Sequence, residues 1–448
     1  MRLSNLEILK NKHFLALIGN GIISVVSVLN MALIYRAMDK AHVGMWFFFV
    51  TVYALSDAIR NGFLSTATVK FYAGTEKARA KEVLGSVWFL AIAITLAFAL
   101  ISLAALPFLG LIQSEGTLIV IKWFAITCIS ALPYTVTFWI LVADERYLAI
   151  LWLRLVNNGI TIVAISVFIY LNQMSLQKLL IINVVTNSIT SLASILARYT
   201  QFKTFFSRTT TCIKELANYG KYSLATNLSS NLLSSADTFI LNIFLGPAAV
   251  AVYTLPLRLM EFVEIPLRSF IGTGMSGMAT AFNKNDMARV ADIFKKYSGM
   301  LTWLFIPMAI LAFFFADFAI GLLGGGKYVN TEAPVVYRLF MIMAILYPID
   351  RFNGVTLDII HLPKINFYKV LVMLASCVTT DLIGVYFTKS IYGVAFASPF
   401  TLLSGILVGY FALRKHVNYS FGEVFRYGYA ECVALIKAKV ISPFSKKS

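Results

Sequence analysis

The 448-residue sequence predicts an all-α polytopic membrane protein of about twelve transmembrane helices in two six-helix lobes. Three observations carry this. Apolar residues make up 59% of the chain and charged residues 13%, about half the share of a soluble domain. Apolar runs of twenty or more residues recur from end to end, each long enough to cross a hydrocarbon core of about 30 Å. The basic residues are placed asymmetrically between alternate loops.

In lipid the backbone satisfies its own hydrogen bonds, so such runs become helices. The expected spans are 14–36, 43–66, 84–108, 117–142, 146–171, 176–198, 222–245, 248–276, 298–323, 334–358, 366–388 and 391–413. The longest loops between them are 67–83, 199–221 and 277–297. The first span is too long for a cleavable signal and lacks a small-residue cleavage site. The expected division is an N-terminal lobe (1–198), a linker (199–221), a C-terminal lobe (222–413) and a basic tail with an interfacial helix (414–448).

The net charge of +17 is a topology signal and does not point to nucleic acid. The N-terminus, the even-to-odd loops and the tail hold 26 of the 38 Lys and Arg, with Arg146, Arg198 and Lys369 counted in the loops they adjoin. The opposite loops hold four: Lys40, Lys178, Lys327 and Lys389. By the positive-inside rule both termini are expected in the cytoplasm, with anionic lipid headgroups as surface partners.

The two halves read as parallel repeats. Shifting the first by 207 positions lays Asn20 on Asn227, Val43 on Val250, Phe63 on Phe270 and Asp57 on Glu264, with Arg60 one place from Arg268. In transporters built this way the substrate site lies at the repeat interface.

Charges within the spans are the candidate site. The eighth span, YTLPLRLMEFVEIPLRSF (253–270), carries Arg258, Glu261, Glu264 and Arg268 at intervals of three, three and four, which places them on one helix face. Four charges facing lipid would oppose insertion by roughly 10 kcal/mol, so they face protein, water or each other. Asp57 and Arg60 repeat the pattern in the second span, Asp57 about 21 Å from its outer end. Arg154, Asp237, Asp350 and Arg351 add to it.

Two readings compete: ion pairs that hold helices in register, or the wall of a wet cavity open to the cytoplasm. The common depth of the set, Asp237 excepted, favours the cavity. Its cations are all Arg, whose planar fork suits phosphate. Arg258, Arg268, Arg60, Arg154 and Arg351 are therefore the expected ligands of an anionic headgroup. Asp57, Glu261, Glu264, Asp350 and Asp237 are expected to be counter-charges or sites for a coupling H⁺ or Na⁺. Asp317 and Asp381 are isolated acids in outer halves, open to ion coupling but read first as locally hydrogen-bonded, and Arg338 reads as a snorkelling residue.

Other chemistry is missing. Cys128, Cys212, Cys377 and Cys432 show no metal or redox spacing and read as small fillers. The four histidines lie at span edges or in loops without metal or triad spacing, so no metal site is expected. GLLGGGKY (321–328) lacks the Ser or Thr of a P-loop. No loop is long enough for a nucleotide-binding domain.

The stretch ELANYGKYSLATNLSSNLLSSADTFILNIFLGPAAVAVYTLPLRLMEF (215–262) resembles the start of the second half of bacterial polysaccharide flippases, through Gly220, Asp237, Leu245, Gly246, Val250, Tyr253, Arg258 and Leu259. ALSDAIRNGFLSTATVKFYAG (54–74) resembles their second span, with Asp57 and Gly62 in place, and GLLGGGKYVNTEAPVVYRL (321–339) the segment after their ninth. Ala251 stands where the family often has Gly.

The resemblance implies a non-enzymatic carrier that moves undecaprenyl-diphosphate-linked oligosaccharide from the cytoplasmic to the outer leaflet by alternating access. The sugar unit would be an O-antigen, capsule or exopolysaccharide repeat, and the location the bacterial inner membrane. Expected partners are the lipid-linked oligosaccharide, membrane lipids and other polysaccharide assembly proteins. Of the candidate residues, only Arg258, Asp237 and Asp57 fall on motif positions; the rest stand on the depth argument. One alternative is a multidrug or cation antiporter of the same superfamily, which would need a more acidic cavity. Another is a membrane glycosyltransferase or polysaccharide polymerase, which would need a catalytic outer loop.

Overall fold

A computed structural model describes residues 12–112, 114–417 and 419–440. Every regular element in it is helical: α1 (Lys12–Ala37), α2 (Lys40–Tyr72), α3 (Lys77–Ala105), α4 (Glu115–Ala143), α5 (Tyr147–Tyr170), α6 (Leu176–Leu196), α7 (Thr210–Phe244) and α8 (Pro247–Asn283) lead the chain. They are followed by α9 (Met287–Phe314), α10 (Ala316–Gly324), α11 (Gly326–Val329), α12 (Ala333–Ala344), α13 (Tyr347–Ile359), α14 (Pro363–Thr388), α15 (Ile391–Leu413) and α16 (Phe421–Val440).

Short polar punctuation starts the helices. Asp39, Ser114, Ser175 and Asp286 each accept a hydrogen bond from the backbone N–H three residues on, satisfying a donor that the first turn leaves open. Between α7 and α8 the chain turns at Gly246 with φ +82°, a conformation that suits a residue without Cβ.

Among the described residues, eight helices are long and apolar enough to cross a membrane, and α12 with α13 supplies a ninth as a bent pair. The protein is a multi-pass membrane protein. The other three expected spans are helical too. For α1 the apolar stretch searched, Gly21–Ala37, is shorter than a span. The 35-residue α7 is rich in Asn and Ser, and the 37-residue α8 carries the four-charge stripe.

Two expectations are corrected. The three long loops are mostly helix: α2 runs to Tyr72, α7 begins at Thr210 and α8 runs to Asn283. Hydropathy marks the part of a helix suited to lipid, and polar residues continue the same helix beyond it. The tenth span is broken by a 50° bend between Ala344 and Tyr347. Pro348 has no N–H to offer the carbonyl four residues back, which frees the helix to kink there.

The described chain forms two compact units. One comprises residues up to Ser235 together with Gly246–Ala251; the other comprises Ala236–Leu245 and the chain from Val252 onward. In the first, Leu64, Val83, Trp88, Trp139, Ile140, Cys212 and Leu216 form a continuous core. Helix α7 lies close on α2, since a Cβ at Gly220 would strike the carbonyl of Phe63. In the second, α14 and α15 meet where Gly384 faces Gly393, backbone against backbone, the small-residue contact common between membrane helices. Helix α16 docks on α9 through Gly428 against Gly299, with Trp303 Nε1 donating to the Phe425 carbonyl at 2.9 Å. Large apolar side chains such as Leu100, Ile101, Phe314 and Phe387 point outward, as a lipid-facing surface requires.

Candidate functional site

In the first unit the second-span pair is an ion pair. Arg60 Nη2 lies 2.7 Å from Asp57 Oδ1. The Arg60 side chain is buried and also donates to Thr95 Oγ1 (3.2 Å), the Cys128 carbonyl (3.5 Å) and Tyr53 Oη (3.4 Å). Arg60 was expected among the headgroup ligands. The structure instead encloses it and spends its guanidinium on α2, α3 and α4. Asp57, about a quarter exposed, takes a second bond from Asn61, whose Oδ1 accepts from Trp139 Nε1. A salt bridge and a hydrogen-bond chain therefore hold the Asp57 carboxylate in place.

Arg154 stands differently. It is half-buried and lies over the Phe138 ring at 4.8 Å.

In the second unit the stripe on α8 resolves into two intrahelical pairs. Arg258 Nη1 lies 2.8 Å from Glu261 Oε1, and Arg268 pairs with Glu264. These pairs are not sealed. Arg258 keeps 30% of its side chain exposed and Arg268 keeps 78%. Arg351 on α13 is exposed and makes no ion pair among the described residues. Tyr347, one turn before it, is within electrostatic reach of Arg351, Glu264, Asp237 and Asp350.

Asp350 was expected as a coupling site or as counter-charge to the arginines. It pairs instead with Lys369, whose Nζ lies 2.6 Å from Asp350 Oδ1 and 2.9 Å from the Asp350 carbonyl. Both side chains are buried. Lys369 is no part of a cytoplasmic loop: α14 begins at Pro363 and carries it inside the bundle.

Asp237 sits in a cluster that spacing along the chain does not show. It accepts from Tyr253 Oη and from Cys377 Sγ (3.2 Å). Cys377 also reaches Asp381 Oδ2 at 3.4 Å. Ser398 Oγ lies 3.5 Å from the Tyr253 hydroxyl. One ligand atom from each of Asp237, Cys377 and Asp381 falls within 4.8 Å of the others. Two carboxyl groups this close need a proton or a cation between them, and the oxygen-rich donor set suits either. Asp381 is thus not isolated, and Cys377 is more than a filler. Their spacing of four on α14 was the one available sequence signal. Asp317 likewise has a partner, Arg338.

Residues 33–333 match the family described as polysaccharide biosynthesis protein, which is well over half of the chain. No curated protein matches the sequence. Among solved structures, the fold is similar to an inward-facing multidrug resistance MATE family transporter of the MOP superfamily, with TM-score 0.71 and 15% identity over 93% of this chain and 96% of that one. It is similar to the lipid II flippase MurJ in an inward closed conformation, with TM-score 0.72 and 14% identity over 94% and 91%. A MOP superfamily transporter from Pyrococcus furiosus, described as having a binding pocket of reverse polarity, matches with TM-score 0.61 and 14% identity over 89% and 94%. The chain belongs to the polysaccharide biosynthesis protein family, and its fold is similar to that of the MOP superfamily transporters.

Proposed function

We propose that the protein is a flippase for undecaprenyl-diphosphate-linked oligosaccharide, moving an O-antigen, capsule or exopolysaccharide repeat unit from the cytoplasmic to the outer leaflet by alternating access. The observation that carries this reading is the set of partly exposed arginines on membrane helices of a polysaccharide biosynthesis family member. Arg258, Arg268 and Arg351 keep part of their side chains exposed with acids nearby. A diphosphate competes well for such groups, because it offers several anionic oxygens to a planar fork. Arg154 is the matching group in the first unit.

Asp237 and Asp381 supply the coupling site in this reading, taking up H⁺ or Na⁺ to reset the carrier. The charge asymmetry of the loops supports a bacterial inner-membrane location with both termini cytoplasmic. A multidrug antiporter would present acids, not arginines, to a cationic drug.

The test is Arg258→Ala expressed in cells whose own copy is deleted. Surface polysaccharide is expected to disappear while the protein level holds, with drug sensitivity unchanged. Normal polysaccharide in that strain would remove Arg258 from the mechanism, and a drug-sensitive phenotype alone would favour the antiporter.

A further inference from the structure

The first unit contains an uncharged polar network that none of the charged sites uses. On α5, Arg154, Asn157, Asn158 and Thr161 fall at intervals of three, one and three and so share one face. Asn157 Nδ2 donates to Asn187 Oδ1 (3.4 Å) and Thr190 Oγ1 (3.1 Å) on α6. Asn187 Nδ2 passes the chain to Asn183 Oδ1 at 3.3 Å. On the other seam, Asn30 Nδ2 of α1 donates to Asn158 Oδ1 at 3.4 Å. Asn158 Nδ2 donates to the Arg154 carbonyl at 3.0 Å. Five amides on three helices therefore form a ladder of two hydrogen-bonded runs that meet at the adjacent residues Asn157 and Asn158 of α5.

The ladder is not closed on itself. Because Asn158 Nδ2 is committed to a carbonyl, its Oδ1 must face Asn30 as acceptor. That orients the Asn30 amide and leaves Asn30 Oδ1 buried with no donor among the described residues, in a residue only 8% exposed. Asn157 Oδ1 and Asn183 Nδ2 also make no bond among the described residues, and both side chains are half-buried, not sealed. A ladder serving only to hold helices together would satisfy its buried groups, since an unmet acceptor in an apolar setting is costly. Unmet amide oxygens and N–H groups without charge match a ligand that presents many hydroxyls and no charge of its own.

We propose that this amide ladder binds the sugar hydroxyls of a lipid-linked oligosaccharide, while Arg154 on the same face of α5 holds the adjoining diphosphate. The inference rests on the flippase reading and deepens it, because it assigns sugar recognition to α1, α5 and α6. The geometry is consistent: Asn157 and Asn158 lie only about 4.5–6 Å along the helix from Arg154. Phosphate and first sugar are joined directly in such a lipid, so their ligands must be adjacent.

Native mass spectrometry of the purified full chain in detergent tests this with two probes. One is undecaprenyl diphosphate; the other is undecaprenyl-diphosphate-linked oligosaccharide extracted from the source cells. The wild type is expected to bind the glycosylated probe on the order of tenfold tighter, the size of one or two net hydrogen bonds. In Asn157→Leu/Asn187→Leu that preference should vanish while affinity for undecaprenyl diphosphate stays the same. Asn183→Ala, which removes only the end of the ladder, should lower the preference in part and guards against a folding defect in the double variant. If the preference persists in both variants at unchanged thermal stability, the ladder is helix glue and the inference fails. If the wild type binds both probes equally, the inference fails but the flippase reading stands. If it binds neither, the flippase reading fails and takes the inference with it.

Discussion

The Lys369 ammonium, on α14, bonds both the side chain and the backbone carbonyl of Asp350, on α13, at 2.6 Å and 2.9 Å. Both side chains are buried, and Asp350 lies within the first turn after the 50° break in the tenth span. A charge taken out of water is tolerable only with its partner in place. Lys369 thereby fastens the segment beyond the break to the neighbouring helix.

Removing one partner should therefore cost far more than removing both. Asp350→Leu or Lys369→Met alone is expected to destabilise by about 3–5 kcal/mol, because each leaves an uncompensated buried charge. Asp350→Leu/Lys369→Met together should recover most of that loss. Thermal unfolding in detergent of the two single variants and the double variant measures it. A loss in the double variant equal to the sum of the two single losses would mean that the pair is not electrostatically coupled.

Arg60 and Arg351 should separate stability from transport. Arg60 is enclosed, so Arg60→Ala is expected to cost about 3 kcal/mol, leaving Asp57 without its cation and emptying a filled site. Arg351 is exposed and free of ion pairs among the described residues, so Arg351→Ala should leave unfolding unchanged. It should weaken binding of undecaprenyl diphosphate by roughly 10- to 100-fold, the worth of a hydrogen bond between charged groups. The opposite assignment of the two effects would overturn the reading of both residues.

The Asp237–Cys377–Asp381 cluster should carry the ion dependence. Asp237→Asn and Asp381→Asn are each expected to lower transport roughly 5- to 150-fold, the usual span of a coupling free energy. They should also flatten its response to a Na⁺ gradient or a pH gradient, whichever drives the wild type. Transport into proteoliposomes with each gradient applied separately identifies the ion. Full gradient dependence in both variants would place the coupling site elsewhere.

Gly384 and Gly393 should tolerate no side chain. A Cβ on either would occupy backbone atoms of the other, so Gly384→Leu must push α14 from α15. The expected cost is at least about 1–3 kcal/mol. Gly110, with open space around it, should accept Ala at little cost and serves as the control.

Much of the fold was legible because the bilayer reads composition directly. A long apolar run such as 366–388 has one stable outcome in lipid, and α14 forms there with its ends displaced by only a few residues. The charge stripe of α8 was legible for a similar reason: intervals of three and four put side chains on one helix face whatever surrounds it, and both ion pairs form within that helix. The break at Ala344–Tyr347 was signalled by Pro348, yet a proline inside a helix can also be accommodated, as Pro256 and Pro266 are in α8.

What the sequence by itself determined is therefore what depends on near neighbours along the chain: helical spans, their number to within a few, the alternation of basic loops and the pairs three or four residues apart. Only the tertiary structure decided which distant groups meet. Asp237 and Asp381 are 144 positions apart, and Asn30 and Asn158 are 128 apart. Arg60 looked like Arg258 until α3 and α4 closed over it. Within a membrane helix every polar residue must find a partner, but spacing along one helix cannot say whether that partner is a neighbour in the same turn, a side chain from another helix or a substrate.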